Sequence, residues 1–268
     1  MRNFAFHRPQ SLAEAVALLG ANDGAKLLAG GQSLLPVLKL GLAEPPHLVS
    51  LAGIRGLWGG ISSEGGELVI GALATHDEVS ASPEVRRRIP GLAALAAGIG
   101  DVQVRNRGTL GGSLAHADPA ADYPAAVLAL GAMIATDRRR IAADDFFTGL
   151  FATALAPDEI ITAVRFPVPE CCAYAKFPHR ASKYALVGVM VAKTAGGVRV
   201  AVTGAGARAF RAPALEAALG VRFAPDALGN RAQTAVKPEE LRSDGEASAE
   251  YRAHLVTVMA KRAVQACL

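Results

Sequence analysis

Apolar positions along the chain switch between a period of two and a period near 3.6, and those switches divide it into short elements. Asn3 to His7 alternates as a half-buried strand does, and Ser11-Leu12-Ala13-Glu14 opens an amphipathic helix through Leu19 with a capping box. Lys26 to Ala29 reads as a buried strand, Leu34 to Leu40 as a short helix and His47 to Ser50 as another strand, so residues 1–52 predict a small βαβ-like lobe. Trp58 to Leu73 carries a hairpin with Ser62-Ser63-Glu64-Gly65-Gly66-Glu67 at its tip. Helices are expected from Thr75-His76-Asp77-Glu78, over Ile89 to Gly98 and over Asp122 to Leu130. Met133 to Ala135 with Arg140-Ile141 suits a second hairpin, Ala142 to Phe147 a short helix, and Glu159 to Phe166 a strand that stops at Pro167.

Pro167-Val168-Pro169 marks a boundary, because two prolines break any ladder or helix. Beyond it, strands near Ala173 to Phe177, Leu186 to Lys193 and Val198 to Thr203 precede helices at Pro213 to Leu219 and Ala247 to Ala266. The expected organisation is a domain over 1–167, with a larger lobe at 53–167, followed by a small α+β domain over 168–268. That second domain reads as a three-stranded sheet with helices on one face, and Phe223 to Ser243 as extended loop.

Composition narrows the class. The chain is 51% apolar with a mean hydropathy of +0.27, yet no stretch reaches the roughly 18 uncharged apolar residues of a membrane span. The N-terminal residues lack the apolar core and cleavage site of a signal peptide, which predicts a cytoplasmic protein. The net charge of +4 is spread over small clusters such as Arg86-Arg87-Arg88 and Arg138-Arg139-Arg140, and aromatics are only 5%, which argues against nucleic-acid binding. The cysteines are Cys171, Cys172 and Cys267; adjacent residues of a strand point to opposite faces, so neither a cluster nor a zinc cradle assembles from them.

Two glycine-rich stretches carry the chemistry: Leu28-Ala29-Gly30-Gly31-Gln32-Ser33-Leu34 and Thr109-Leu110-Gly111-Gly112-Ser113-Leu114-Ala115-His116-Ala117-Asp118. Each places paired glycines after an apolar run that reads as a strand. Without a Cβ the main chain passes close to a ligand, and successive N–H groups converge on an anion such as a diphosphate. Two such loops suggest a long dinucleotide gripped from both sides.

Together with Val102-Gln103-Val104-Arg105-Asn106-Arg107-Gly108 and Ala115 to Pro124, these motifs resemble the FAD-binding medium subunit of molybdenum hydroxylases, the family of carbon monoxide dehydrogenase, aldehyde oxidase and xanthine dehydrogenase. Val202-Thr203-Gly204-Ala205-Gly206 and Ser248 to Leu255 resemble the C-terminal domain of its carbon monoxide dehydrogenase-type members, so the likeness covers the whole chain. The resemblance implies an α+β fold: a vanillyl-alcohol-oxidase-like (PCMH-type) two-lobed FAD domain, then a C-terminal domain. It implies FAD contacts from Leu28, Ala29, Gly30, Gly31, Gln32, Ser33, Leu34, Thr109, Gly111, Gly112 and Ser113, with His116 and Asp122 as polar contacts. Ile99 and Ile161 would pack on the ligand's rings, and Lys176 would place a cation near the flavin. Many relatives carry Asn where this chain has Ser113.

The family also implies partners: a small subunit with two [2Fe–2S] clusters and a large subunit with the molybdenum cofactor, assembled as a dimer of heterotrimers. No catalytic acid, base or nucleophile is expected in this chain. The alternative reading is a stand-alone flavin oxidase or reductase, for which Tyr184, Lys183 and His179 would be the candidates for a tuned acid or base.

Two further patterns compete with these. His116, Asp118 and Asp122 sketch a metal site, but no second histidine stands at helical spacing. Val198 to Ala209 fits a strand followed by G-x-G-x-x-A, but Pro213 favours a helix starting well after the glycines, where a nicotinamide-binding turn needs its helix inside them.

Overall fold

A computed structural model describes residues 3–54, 57, 60–229 and 236–268. The Trp58 end of the expected hairpin, and part of the expected loop after Phe223, lie outside them. The small lobe is a parallel sheet of β1 (Ala5–His7), β2 (Lys26–Leu28) and β3 (His47–Ser50), ordered β1-β3-β2. Helix α1 (Leu12–Ala21) starts as expected, with Ser11 Oγ accepting the Glu14 N–H at 3.1 Å. The Glu14 carboxylate reaches one residue further back than a capping box requires and accepts the Gln10 N–H at 2.8 Å. Ala15 and Leu19 of α1 bury with Val49, Leu51 and Ile160 in a core separate from the rest.

The larger lobe is a five-stranded antiparallel sheet ordered β4-β5-β10-β6-β7, built from β4 (Ile61–Glu64), β5 (Glu67–Gly71), β6 (Met133–Thr136), β7 (Arg140–Ala142) and β10 (Ile161–Phe166). Between β5 and β6 run helices α3 (His76–Ala81), α4 (Pro83–Arg88), α5 (Pro90–Ala97), α6 (Val102–Arg105), α7 (Leu110–His116) and α8 (Tyr123–Ala129). α9 (Ala143–Phe146) and a two-stranded hairpin, β8 (Phe147–Gly149) with β9 (Ala152–Thr153), precede β10. α4 was not expected; Ser82 caps it through the Val85 N–H at 3.3 Å and Pro83 sits in its first turn.

The second domain differs from expectation by one strand. β11 (Cys171–Pro178), β12 (Ala185–Thr194) and β13 (Gly197–Thr203) are joined by β14 (Phe210–Arg211), so the sheet is four-stranded rather than three-stranded. Two residues are too few to show a period of two, which is why the sequence hid it. After Gly204-Ala205-Gly206 comes β14, and α10 (Pro213–Val221) starts only at the proline, so no helix opens within those glycines.

β12 reads as one apolar run because it is covered on both sides. Val187, Val189 and Val191 pack with Val256, Met259 and Ala260 of α11 (Ala249–Cys267). Met190 and Ala192 join the core of the larger lobe through α8, every residue of which is buried. The chain between α7 and α8 is bound tightly to the second domain. Thr203 Oγ1 lies 2.8 and 2.6 Å from the Pro119 and Ala121 carbonyls, the Gly204 N–H donates to Pro119 at 2.7 Å, and the Ala185 N–H to Ala120 at 3.2 Å. Among the described residues no helix is long and apolar enough to cross a membrane.

The second domain is held around one buried cation. Arg252 is 3% exposed; it donates to the Leu186 and Gly204 carbonyls at 2.7 and 3.0 Å and to both oxygens of Asp244 at 2.9 and 2.7 Å. Burial works against the Asp244 charge, yet the guanidinium and backbone N–H groups hold its carboxyl below the usual range. Arg252→Met takes the donor from two carbonyls and the guanidinium from the Asp244 carboxylate, and denaturant unfolding is expected to show a loss of about 3–5 kcal/mol.

Candidate functional site

β2 delivers the chain into Ala29 to Ser33, and α2 (Leu34–Lys39) takes it away. Gly31 has φ +76°, where a side chain is strained, and a Cβ there would stand 2.9 Å from Leu35 Cδ1. A Cβ on Gly30 would fall on the Arg107 carbonyl oxygen, 2.7 Å from its carbon and 3.0 Å from Gly108 Cα. Gly30 is therefore a point at which the main chains of the two lobes touch. Among the described residues, the five consecutive N–H groups of Gly30 to Leu34 donate to no protein acceptor, and Ser33 Oγ caps nothing. Five unspent donors in one turn of chain are an arrangement that can accept an anion.

The second glycine pair works differently from the expected loop. Gly111-Gly112 form the first turn of helix α7, with Thr109 as N-cap; the preceding Val102 to Arg105 is helix α6, not a strand. The donors here are spent inside the protein: Leu110 N–H on Ala74, Gly111 N–H on Ala72, Gly112 N–H on Thr109 Oγ1 and Ser113 N–H on the Thr109 carbonyl, at 2.8 to 3.1 Å. A helix-capping threonine claims the N–H groups that a free loop would leave open. The glycines supply close approach instead. A Cβ on Gly111 would stand 2.7 Å from Ala72 Cβ, and one on Gly112 would stand 2.7 Å from Thr109 Oγ1.

Between the lobes lies a cavity of about 590 Å³, a size that suits a small-molecule ligand. Ala29 to Leu34 line one wall, and Thr109, Gly111, Gly112, Ser113 and His116 another; Ile99, Ile161 and Asp122 also face it. Two expected contacts do not line it. Leu28 is paired with Ser50 within β2 and β3, beneath the loop. Lys176, on β11, has its ammonium 3.0 Å from Asp122 Oδ1, 2.8 Å from the Gly98 carbonyl and 3.1 Å from the Lys183 carbonyl.

Asp122 is 4% exposed and receives the Tyr174 hydroxyl on the same oxygen at 2.6 Å. Burial pushes its carboxyl up, and the Lys176 cation and the Tyr174 hydroxyl oppose that rise. Burial and the Asp122 charge together hold the Tyr174 phenol well above its usual range.

Several lining groups escaped sequence reasoning. His76, 5% exposed, stands behind Gly108, where a Cβ would be 2.5 Å from His76 Nε2, and its ring lies 5.3 Å from that of Tyr123. Burial lowers its imidazole to about 4, so it is neutral at pH 7. The only sequence signal was the Thr75 to Glu78 capping box, which set the helix start but not the direction of the ring. Phe151, at φ +51° in the β8–β9 turn, lays its ring 5.2 Å from that of His116. Of the acid–base candidates, Tyr184 and Lys183 line the cavity, whereas His179 organises its own turn, accepting the Ala181 and Ser182 N–H groups on Nδ1. Among the described residues no three His, Cys, Asp or Glu side chains cluster as a metal would need.

The comparisons with known proteins bear on these same segments. The family model "FAD binding domain in molybdopterin dehydrogenase" matches residues 2–169, and "CO dehydrogenase flavoprotein C-terminal domain" matches 172–267. The medium subunit of nicotine 6-hydroxylase from Paenarthrobacter nicotinovorans is 39% identical, over 96% of this chain and 94% of that one. The carbon monoxide dehydrogenase medium chain of Hydrogenophaga pseudoflava is 38% identical, over 98% and 96%. Among solved structures, a chain of carbon monoxide dehydrogenase from Hydrogenophaga pseudoflava superposes with TM-score 0.90 at 38% identity, covering 99% of this chain and 97% of that one. A chain of quinoline 2-oxidoreductase from Pseudomonas putida 86 superposes with TM-score 0.90 at 32% identity, with coverage of 99% and 97%. With glycine loops, cavity and second domain all inside these matches, the chain belongs to the FAD-binding medium subunits of molybdopterin-dependent dehydrogenases and is an oxidoreductase subunit.

Proposed function

We propose that the cavity between the lobes holds FAD, and that the chain is the electron-transfer subunit of a heterotrimeric molybdenum hydroxylase. The observation that carries this is the row of five unspent N–H groups at Gly30 to Leu34, all of them residues that line the cavity. The donors would hold the diphosphate, with the Ser33 hydroxyl beside them, so that dipoles rather than a lysine meet its charge. Gly112 and Ser113 would approach from the other lobe, Asp122 would accept from a ribose or ribityl hydroxyl, and Ile99 and Ile161 would pack against the rings. The two lobes, 1–52 and 53–167, then form a vanillyl-alcohol-oxidase-like domain, with 168–268 as its C-terminal companion.

When bound, FAD supplies the redox chemistry; the chain supplies binding, orientation and the local field. Cys172 is buried, with its thiol pushed up to about 12, which suits a packed side chain rather than a cluster ligand. Electrons would therefore arrive from an iron–sulfur small subunit, itself fed by a molybdopterin large subunit, in a cytoplasmic dimer of heterotrimers. Similar medium chains are named for enzymes of carbon monoxide, nicotine, glyceraldehyde and caffeine, which supports the choice of substrate residing on another chain.

Two measurements test the reading. Titration of the apoprotein with FAD is expected to saturate at one per chain, and Gly30→Ala, which forces a methyl group into the Arg107 carbonyl, is expected to weaken it up to about 100-fold. An unaltered affinity in Gly30→Ala would contradict the cradle. With a reduced nicotinamide as electron donor, the FAD-loaded chain alone is expected to reduce artificial acceptors slowly, and it is expected to oxidise none of the organic substrates; rapid turnover of one of them would favour the stand-alone oxidase.

A further inference from the structure

One side chain outside the cavity touches three segments that line it. The Lys176 ammonium reaches Asp122 Oδ1, the Gly98 carbonyl beside Ile99, and the Lys183 carbonyl beside Tyr184. Ile99, Asp122, Lys183 and Tyr184 all face the cavity, and they come from both domains. Lys183 is held at φ +64°, a left-handed conformation that a non-glycine residue keeps only where its surroundings impose it. With three donors on three acceptors, the ammonium has no further N–H for a ligand. This differs from a cation placed beside the flavin.

We propose that Lys176 is a positioning residue: its ammonium keeps Asp122 a carboxylate, with Oδ2 free for a ligand hydroxyl, and locks the Gly98 and Lys183 loops around it. Tyr174 shares the task, since its hydroxyl occupies Asp122 Oδ1 from the same strand. Oδ2 has no side-chain partner among the described residues. The charged and titratable groups around Asp122 are Lys176 and Tyr174 from β11, Tyr184 from the turn before β12, and Asp118 and Tyr123 from its own segment, with His76 beyond Tyr123. Lys176 is the one cation among them. Without it, burial favours the protonated acid.

The ligand arm of the test rests on the FAD reading, and the infrared arm does not. In Lys176→Met, a carboxylic acid carbonyl band is expected at pH 7 that is absent from the wild type and from the Lys176→Met/Asp122→Asn double variant. FAD affinity of Lys176→Met is expected to fall about tenfold at pH 7, the scale of a lost hydrogen bond to a charged group, and to recover as Asp122 ionises at higher pH. The wild type is expected to show a weaker pH dependence than Lys176→Met, because the cation opposes the rise that burial causes. Tyr174→Phe removes one donor and keeps the cation, so the same dependence should appear only toward acid pH, and this variant decides the matter if Lys176→Met does not fold. A variant that folds with no acid band and a flat affinity profile overturns the proposal. A wild-type protein that binds no FAD overturns the cofactor reading instead, and the infrared band still decides the role of Lys176.

Discussion

The site depends on the contact between Gly30 and the Arg107–Gly108 main chain. Any side chain at Gly30 would occupy the Arg107 carbonyl, so the approach of the lobes is set by the absence of a single carbon atom. The chain of contacts continues beyond it: Gly108 leaves room for the His76 ring, and that ring packs on Tyr123 at the start of buried α8. A close-packed stack of this kind does not adjust by fractions of an ångström without cost. It holds Gly30 to Leu34 in the cavity wall and keeps the opposite wall at a fixed distance.

The second domain acts on the same wall from outside. Its strands β12 and β13 hold the Pro119 to Ala121 carbonyls, and β11 contributes Tyr174 and Lys176 to Asp122. Burial of Asp122 is tolerated only because a cation and a phenol meet it there. The C-terminal domain is thus part of the cavity's framework, because α8 and the sheet share one apolar core. Those few hydrogen bonds tie the cavity wall to the second domain.

Much of this was legible in the sequence, for reasons tied to particular residues. Ser11, Thr75 and Pro213 announced helix starts, and apolar runs ending at turn or proline signals marked β10 through β13. At the first glycine pair the expected donors have no protein acceptor, since paired glycines with no local hydroxyl cap leave N–H groups open. The second pair misled, because Thr109 is both a plausible ligand contact and an N-cap, and the helix won. β14 and the β8–β9 hairpin were too short to carry a period. Lys176 was legible as a lysine of the region, but its partners on Gly98 and Lys183 come from segments 78 and 7 residues away, which no local pattern reveals.

The difference between the two glycine segments gives the sharpest test, by amide hydrogen exchange with and without FAD. Unbonded N–H groups that become hydrogen bonded to a diphosphate gain protection, whereas N–H groups already bonded within the protein gain little. The account predicts strong FAD-dependent protection across Gly30 to Leu34 and only a small change across Gly111 to Ser113. Equal protection of both segments, or none at Gly30 to Leu34 in the FAD-saturated protein, would contradict it.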